Sequence, residues 1–431
     1  MKLQFIMMFC VLASVLSCTN STSSKKITDT NAYNVYLESS NATALQNAQS
    51  ELVFWQQKLE KQPNQFPYLA KMAGAYGHLF AITGNIEYLK NAENAYLELN
   101  SITNYSNSSY LKGLASNYIS QHKFRKALKL LTKAESHGDK LEGTQKMMFD
   151  VHLELGNYQL AKNYLDKFSD DSDFDYLIRV AKWSDHRGNL DAAIKYLEKA
   201  RDKAELANTP QLKQWIYTNL GDFYGHHGNI EASYNHFLKA LELFPNDAYA
   251  KKGIAWIVYS YEKNPDEALR ILNTVTKTYH APDYHLLKAE IAEYKGDAIM
   301  YNKELALYKA AVKNESYGDM YNTYNAQLYA DASENLDEAL TLAKIEIANR
   351  PTPQSYDLLA WVYFKQGQIK EALNIMEQYV SGKTEEPHTL FHLAQVYKAN
   401  GKLKEAKNLK KELLESTFEL GPLMEVEINK I

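Results

Sequence analysis

The feature that most constrains this chain is a pattern of about 34 residues, written most clearly from Trp215 to Asn246 and repeated in degraded form over most of its length. Within that stretch Tyr217, Leu220, Gly221 and Tyr224 fall at three- and four-residue spacing, and Ser233, Phe237 and Ala240 do the same further on. Each set marks one apolar face of a helix. Gly228-Asn229 separates the two, and Pro245 stops the second, because glycine takes the left-handed conformation at a helix end and proline cannot continue the backbone ladder. The unit is therefore a helical hairpin. Gly221, Ser233 and Ala240 are small where the two helices would touch, which predicts close backbone approach with Tyr224 and Phe237 filling the flanks. A single hairpin cannot bury such a face, so its neighbours must.

The copies can be counted from the small residue early in each second helix: Ala127, Ala161, Ala193, Ser233, Ala268, Ala339, Ala372 and Ala406. The steps are 34, 32, 40, 35, 71, 33 and 34 residues, and the long one hides a unit at Leu286 to Lys313, where Tyr301 stands in the small position. With the hairpin around Gly84-Asn85, this predicts ten hairpins between Phe66 and Ser416, preceded by a helical half-unit over Ala42 to Lys61. The step of 40 predicts a lengthened helix through Arg201 to Thr209, restarted by Pro210, and Asn314 to Asp319 reads as an irregular junction. Phe418 to Ile431 leaves the pattern and is expected to cap the last apolar face.

Leu220-Gly221, Tyr224, Gly228, the small residue 233, Phe237, Ala240 and Pro245 resemble the tetratricopeptide repeat, with Ser233 in place of the usual Ala. That resemblance implies an all-α, right-handed superhelical solenoid with a concave groove. It also implies protein or peptide binding without shared chemistry, since function resides in sites grafted on the fold.

The first residues carry a different signal. Lys2 and the apolar run Leu3 to Leu16 read as an export signal too short to span a membrane permanently. The run ends Leu16-Ser17-Cys18, which resembles a bacterial lipobox, so residues 1–17 are expected to be removed and Cys18 to be lipidated. Residues 18–43, rich in Ser, Thr, Asn and Lys, read as a flexible tether, residues 44–416 as the solenoid and 417–431 as a cap or tail. Thr19 is not the Asp linked to inner-membrane retention, and no acidic run follows Cys18; the resemblance to bacterial lipoproteins then implies an outer-membrane anchor facing the periplasm.

Several chemistries are excluded or weakened. The net charge is −4, from 48 basic and 52 acidic residues, so nothing favours nucleic acid as a partner. The two cysteines, Cys10 and Cys18, lie before the solenoid, which leaves it without disulfide or thiol chemistry. His226 and His227 are adjacent and diverge; His388 and His392 share a helix face but lack a third ligand. Asp171, Asp173 and Asp175 alternate as in a calcium loop, yet Tyr176 occupies the position that needs glycine. No metal, no cofactor and no enzymatic activity is expected. Lys112 with Ser116, and Lys146 with Asp150, do not form the two-carboxylate clamp of some relatives.

Tyrosine is abundant at 32 residues, and Tyr76, Tyr118, Tyr224, Tyr259, Tyr363 and Tyr397 recur at one core position. Tyr321, Tyr324, Trp361, Phe364 and Phe391 fall elsewhere on first helices, on the side that the resemblance assigns to the groove, and are the expected partner-binding residues. The function expected is a non-catalytic, membrane-anchored protein-binding scaffold or assembly factor of a bacterial envelope. The alternative is glycan capture, because outer-membrane binders of the starch-utilisation type embed similar repeats.

Overall fold

The computed structural model describes residues 26–39 and 42–431. Among these there is no strand. The lipobox-like Cys18 and the export signal lie outside the described residues.

After α1 (Thr30–Leu37) and the long α2 (Ala42–Lys61), ten hairpins follow in register. The first five pair α3 (Pro67–Thr83) with α4 (Ile86–Ile102), α5 (Ser108–Ser120) with α6 (Phe124–His137), α7 (Leu141–Glu154) with α8 (Tyr158–Lys167), α9 (Phe174–His186) with α10 (Leu190–Ala207), and α11 (Pro210–His226) with α12 (Ile230–Leu243). The next five pair α13 (Ala248–Trp256) with α14 (Pro265–Val275), α15 (Asp283–Tyr294) with α16 (Ala298–Ala311), α17 (Asn322–Asp331) with α18 (Leu336–Asn349), α19 (Pro353–Lys365) with α20 (Ile369–Tyr379), and α21 (Pro387–Ala399) with α22 (Leu403–Glu415). Short α23 (Thr417–Leu420) and α24 (Pro422–Asn429) end the chain. No helix among the described residues is long and apolar enough to cross a membrane.

The turn chemistry acts as the spacing predicts. Gly156, Gly188, Gly228, Gly367 and Gly401 all have φ between 70 and 80°, a region that side-chain-bearing residues avoid. After two of these glycines the next residue caps the following helix: Asn189 and Asn229 each accept a bond from the backbone N–H three residues on. Ala127, Ala161, Ala193, Ser233, Ala268, Ala339, Ala372 and Ala406 are all buried at the helix contacts. In α11 and α13 the fit is tightest, since the Phe237 ring wedges between two glycines. A Cβ on Gly221 would lie 2.7 Å from that ring, and one on Gly253 closer still.

Successive turns of the superhelix touch. The turn of the first hairpin meets the loop after the sixth, where His280 N–H donates to the Thr83 carbonyl at 2.8 Å. Glu87 accepts from Asn314 and Ser316, both at 3.0 Å, and Arg125 reaches the Ala348 carbonyl at 2.6 Å. The solenoid is thus closed up turn against turn around its inner face, the lumen.

Two segments differ from expectation. The stretch read as a flexible tether contains α1, docked across the second helices α12 and α14. Its fully buried apolar residues are Tyr33 and Leu37, one helical turn apart, with Tyr36 partly buried beside them, so no sustained period announced it. Polar contacts hold the rest: the Ile27 and Thr28 N–H groups donate to one Glu262 oxygen at 2.7 and 2.6 Å, and the Tyr33 hydroxyl donates to Glu267 at 2.6 Å. The C-terminal segment does cap the last repeat, burying Leu420 and Ile428 with α21 and α22. It also crosses the lumen: Trp256 Nε1 and Ser260 Oγ both donate to the Phe418 carbonyl, at 3.1 and 2.6 Å. A π-helical turn at Ile257–Tyr261 carries Ser260.

Candidate partner-binding groove

The five aromatics expected in the groove divide. Trp361, Phe391 and Tyr321 are 5%, 6% and 9% exposed and pack between repeats, which corrects their reading as ligand-facing residues. Trp361 lies flat on His392 at 4.0 Å between ring centres, with Phe364 stacked alongside at 5.1 Å, and its Nε1 donates to Asp331 at 2.8 Å. His392 in turn sits 3.0 Å from the buried Asp357 carboxylate. Aromatic area adjacent to a small-residue seam is covered by the next hairpin, which periodicity on one helix does not reveal. Tyr324 alone of the five is widely open, at 48% exposure, and Phe364 is half-buried.

Tyr324 belongs to a cleft of about 440 Å³ on the inner face of α13, α15 and α17. Leu286, Leu287, Leu305 and Leu328 form its walls, and Leu420, Leu423 and Met424 of the C-terminal segment close one side. Asp283, Glu290, Glu293 and Asp331 stand along it, with Lys252 bonded to Asp283 at 2.6 Å. Burial pushes the Glu290 carboxyl up to about 7, and the neighbouring Glu293 charge adds to the effect. A second cavity of about 230 Å³ lies against it, between Asp222, Tyr249 and Trp256 on one side and Phe418-Glu419 on the other. Asp222 accepts the Tyr249 hydroxyl at 2.6 Å, and burial raises its carboxyl to about 6. Sequence reasoning missed Trp256 and Lys252 on α13 and the C-terminal wall. Departure from the repeat pattern after Ser416 was the one available signal for that wall.

The candidate ligand sets do not assemble. His388 faces the cleft while His392 turns inward to Asp357. His227 pairs with Asp191 at 2.9 Å, His226 lies 3.5 Å from Glu419, and His236 is buried against the Ala232 carbonyl. Asp173 and Asp175 both bind Lys146, while Asp171 binds Lys199, so the alternating aspartates point to different lysines. Among the described residues, no three His, Cys, Asp or Glu side chains converge as a metal site. Asp150 is held by Arg179 at 2.7 Å, which makes the Lys146 and Asp150 pair part of an internal ion network.

Two family models match the chain. One, described as Tetratricopeptide repeat, covers residues 216–247; the other, described as Anaphase-promoting complex, cyclosome, subunit 3, covers residues 323–413. The chain carries tetratricopeptide-type repeats. It is 25% identical over 269 residues to a TPR repeat-containing protein of Methanocaldococcus jannaschii, over 56% of this chain and 45% of that relative. The chain therefore spans less than half the length of that relative. Among solved structures it is similar to Pseudomonas aeruginosa pilF, at 16% identity and a TM-score of 0.37, over 49% of this chain and 96% of that one. It is also similar to human IFIT1, solved as a dimer with m7Gppp-AAAA, at 15% identity and a TM-score of 0.46, over 76% of each chain. Tetratricopeptide-repeat proteins act in general as protein-interaction scaffolds and are typically non-catalytic.

Proposed function

We propose that this tetratricopeptide-repeat protein is a lipid-anchored, non-catalytic scaffold or assembly factor of a bacterial envelope, holding a segment of a partner protein in the lumen. The observation that carries the binding half is the cleft itself: an open, apolar-walled site across three consecutive hairpins, with Tyr324 exposed in it. Exposed apolar area of this kind on a repeat surface marks an interaction site. The anchoring half rests on the sequence Leu16-Ser17-Cys18 after its apolar run, with lipid on Cys18 and an outer-membrane position facing the periplasm.

Cross-linking in cells, followed by affinity recovery from detergent-solubilised envelopes, tests both halves. The intact protein should bring down one stoichiometric protein partner and sediment with membranes, and Cys18→Ala should leave the membrane fraction and lose most of that partner. Recovery of no protein by either form would overturn the scaffold reading and favour glycan capture. Membrane association unchanged in Cys18→Ala would overturn the anchor.

A further inference from the structure

The chemistry of the cleft specifies more than a protein partner. Its walls are leucines and Met424, and its rim carries Asp283, Glu290, Glu293 and Asp331. Two of these carboxylates are already partnered, Asp283 by the Lys252 ammonium at 2.6 Å and Asp331 by Lys365 at 3.7 Å, which leaves Glu290 and Glu293. The other lining group able to take positive charge, His388, is pushed down to about 4 by burial, with His392 adding to the effect, and is neutral near pH 7. Glu290 and Glu293 lie three residues apart on α15, so they are neighbours on one face, and burial together with that repulsion raises Glu290 to about 7, a cost that an incoming ammonium or guanidinium would relieve. Among the described residues no Lys or Arg forms an ion pair with either of them.

Trp256, Tyr301 and Tyr324 add aromatic faces beside the carboxylates, an environment that attracts ammonium and guanidinium groups. The neighbouring inner face already holds a peptide. Residues 418–424 of the chain itself lie there, with one backbone carbonyl taken by Trp256 and Ser260. A chain segment is thus a shape that this surface accommodates, and the open cleft continues from it.

We propose that the occupant of the cleft between α13, α15 and α17 is a partner segment in which apolar side chains alternate with Lys or Arg. This rests on the protein-binding reading above and names the class of partner. Apolar side chains enter among Leu286, Leu305 and Leu328, and basic ones meet Glu290, Glu293 and the ring of Tyr324. An acidic segment would place its carboxylates beside Glu290 and Glu293, where like charges are opposed.

Fluorescence anisotropy with the purified full chain tests it, using three labelled peptides of roughly a dozen residues: alternating Leu and Lys, alternating Leu and Glu, and alternating Ser and Lys. The Leu/Lys peptide should bind at least ~10-fold more tightly than either of the others. Glu290→Gln with Glu293→Gln should weaken it by ~10-fold, as should Tyr324→Ala, whereas Glu371→Gln with Glu405→Gln, exposed on α20 and α22, should change it by less than ~2-fold. Circular dichroism should show the same helical content and one cooperative melt for all these variants, which separates lost binding from lost fold. Tighter or equal binding of the Leu/Glu peptide overturns the proposal, as does an equal loss in the α20 and α22 control. If cross-linking recovers a protein partner while the peptides show no preference, the charge inference alone fails. If no protein is recovered, the scaffold reading fails as well.

Discussion

Two hairpins of identical architecture, α11–α12 and α15–α16, are held together by different physics. In α11–α12 the joint is shape: Phe237 fills the space above Gly221 and Gly253, and Ser233 Oγ donates to the Gly221 carbonyl at 2.6 Å. In α15–α16 the corresponding positions are Tyr301, Leu305 and Tyr308, too bulky for that approach, and the joint is charge. Glu304 on α16 accepts from His285 at 2.7 Å and from Lys288 at 3.0 Å, and the Glu304 and Lys288 side chains are both buried. Tyr308, fully buried, donates to Asn325 at 2.8 Å in the next helix. The cleft lies beside this hairpin, with Tyr301 and Leu305 among its lining residues. The lesson is that the repeat tolerates a change of adhesive without a change of fold, and that the substitution coincides with the cleft.

The sharpest way to break this comparison is to remove one partner of the ion pair. Glu304→Ala strands a buried ammonium and should cost ~3–5 kcal/mol in urea unfolding, whereas replacing both members, Lys288→Met with Glu304→Leu, should come out near neutral. A cost below ~1 kcal/mol for the single variant would show that the charge joint is not what holds the hairpin. Acid should act in the same direction. Burial by itself would raise the Glu304 carboxyl, but the bonds from His285 and Lys288 outweigh it and hold the group below its ordinary value. A folded value below the unfolded one means that the contribution is present above the unfolded value and is lost as pH falls through the folded one. The α15–α16 joint should therefore loosen in acid, and the pH slope should vanish in the double variant.

The shape joint makes the complementary, smaller prediction. Gly221→Leu forces a side chain into the Phe237 ring and should cost ~1–3 kcal/mol, with little dependence on pH or salt. Asn235→Ala, exposed on α12, should stay within ~0.5 kcal/mol. Equal effects at the two positions would mean that the helices do not meet at the register described.

That contrast also explains what could be read from the sequence. The ten hairpins, the lengthened α10 and the irregular junction at Glu315–Tyr321 follow from small residues, turn glycines and step lengths, all of which are local. The tether was misread because α1 is held by hydrogen bonds to Glu262 and Glu267, more than two hundred residues away, with only two apolar anchors. Trp361, Phe391 and Tyr321 were misread as groove residues for a related reason. Trp361 and Tyr324 sit on equivalent first helices, and what separates them is whether the neighbouring hairpin covers the ring, a fact of tertiary packing. Turn-to-turn closure, which brings Phe418 against Trp256, is likewise invisible to a pattern of 34 residues.

The smallest effect concerns that closure, which lands on the shape-packed half of the comparison. Phe418 presses on Gly225 at the end of α11, where a Cβ would sit 2.9 Å from the ring, and Glu419 enters the adjoining cavity 3.5 Å from His226. Burial pushes the Glu419 carboxyl up to about 7, with the Asp185 charge adding to it. Here the folded value lies above the unfolded one, so the stabilisation is full below the unfolded value and is lost as pH rises through about 7. The C-terminal latch should thus hold better at mildly acid pH than at alkaline pH, opposite in sign to the Glu304 joint. Glu419→Gln, which cannot ionise, should flatten that part of the profile, shifting the melting temperature at pH 8 by about one to two degrees relative to the unmodified chain. If the two profiles run parallel from pH 5.5 to 8, Glu419 does not control the latch, and the latch rests on the packing of Phe418 and on the bonds from Trp256 and Ser260 to its carbonyl.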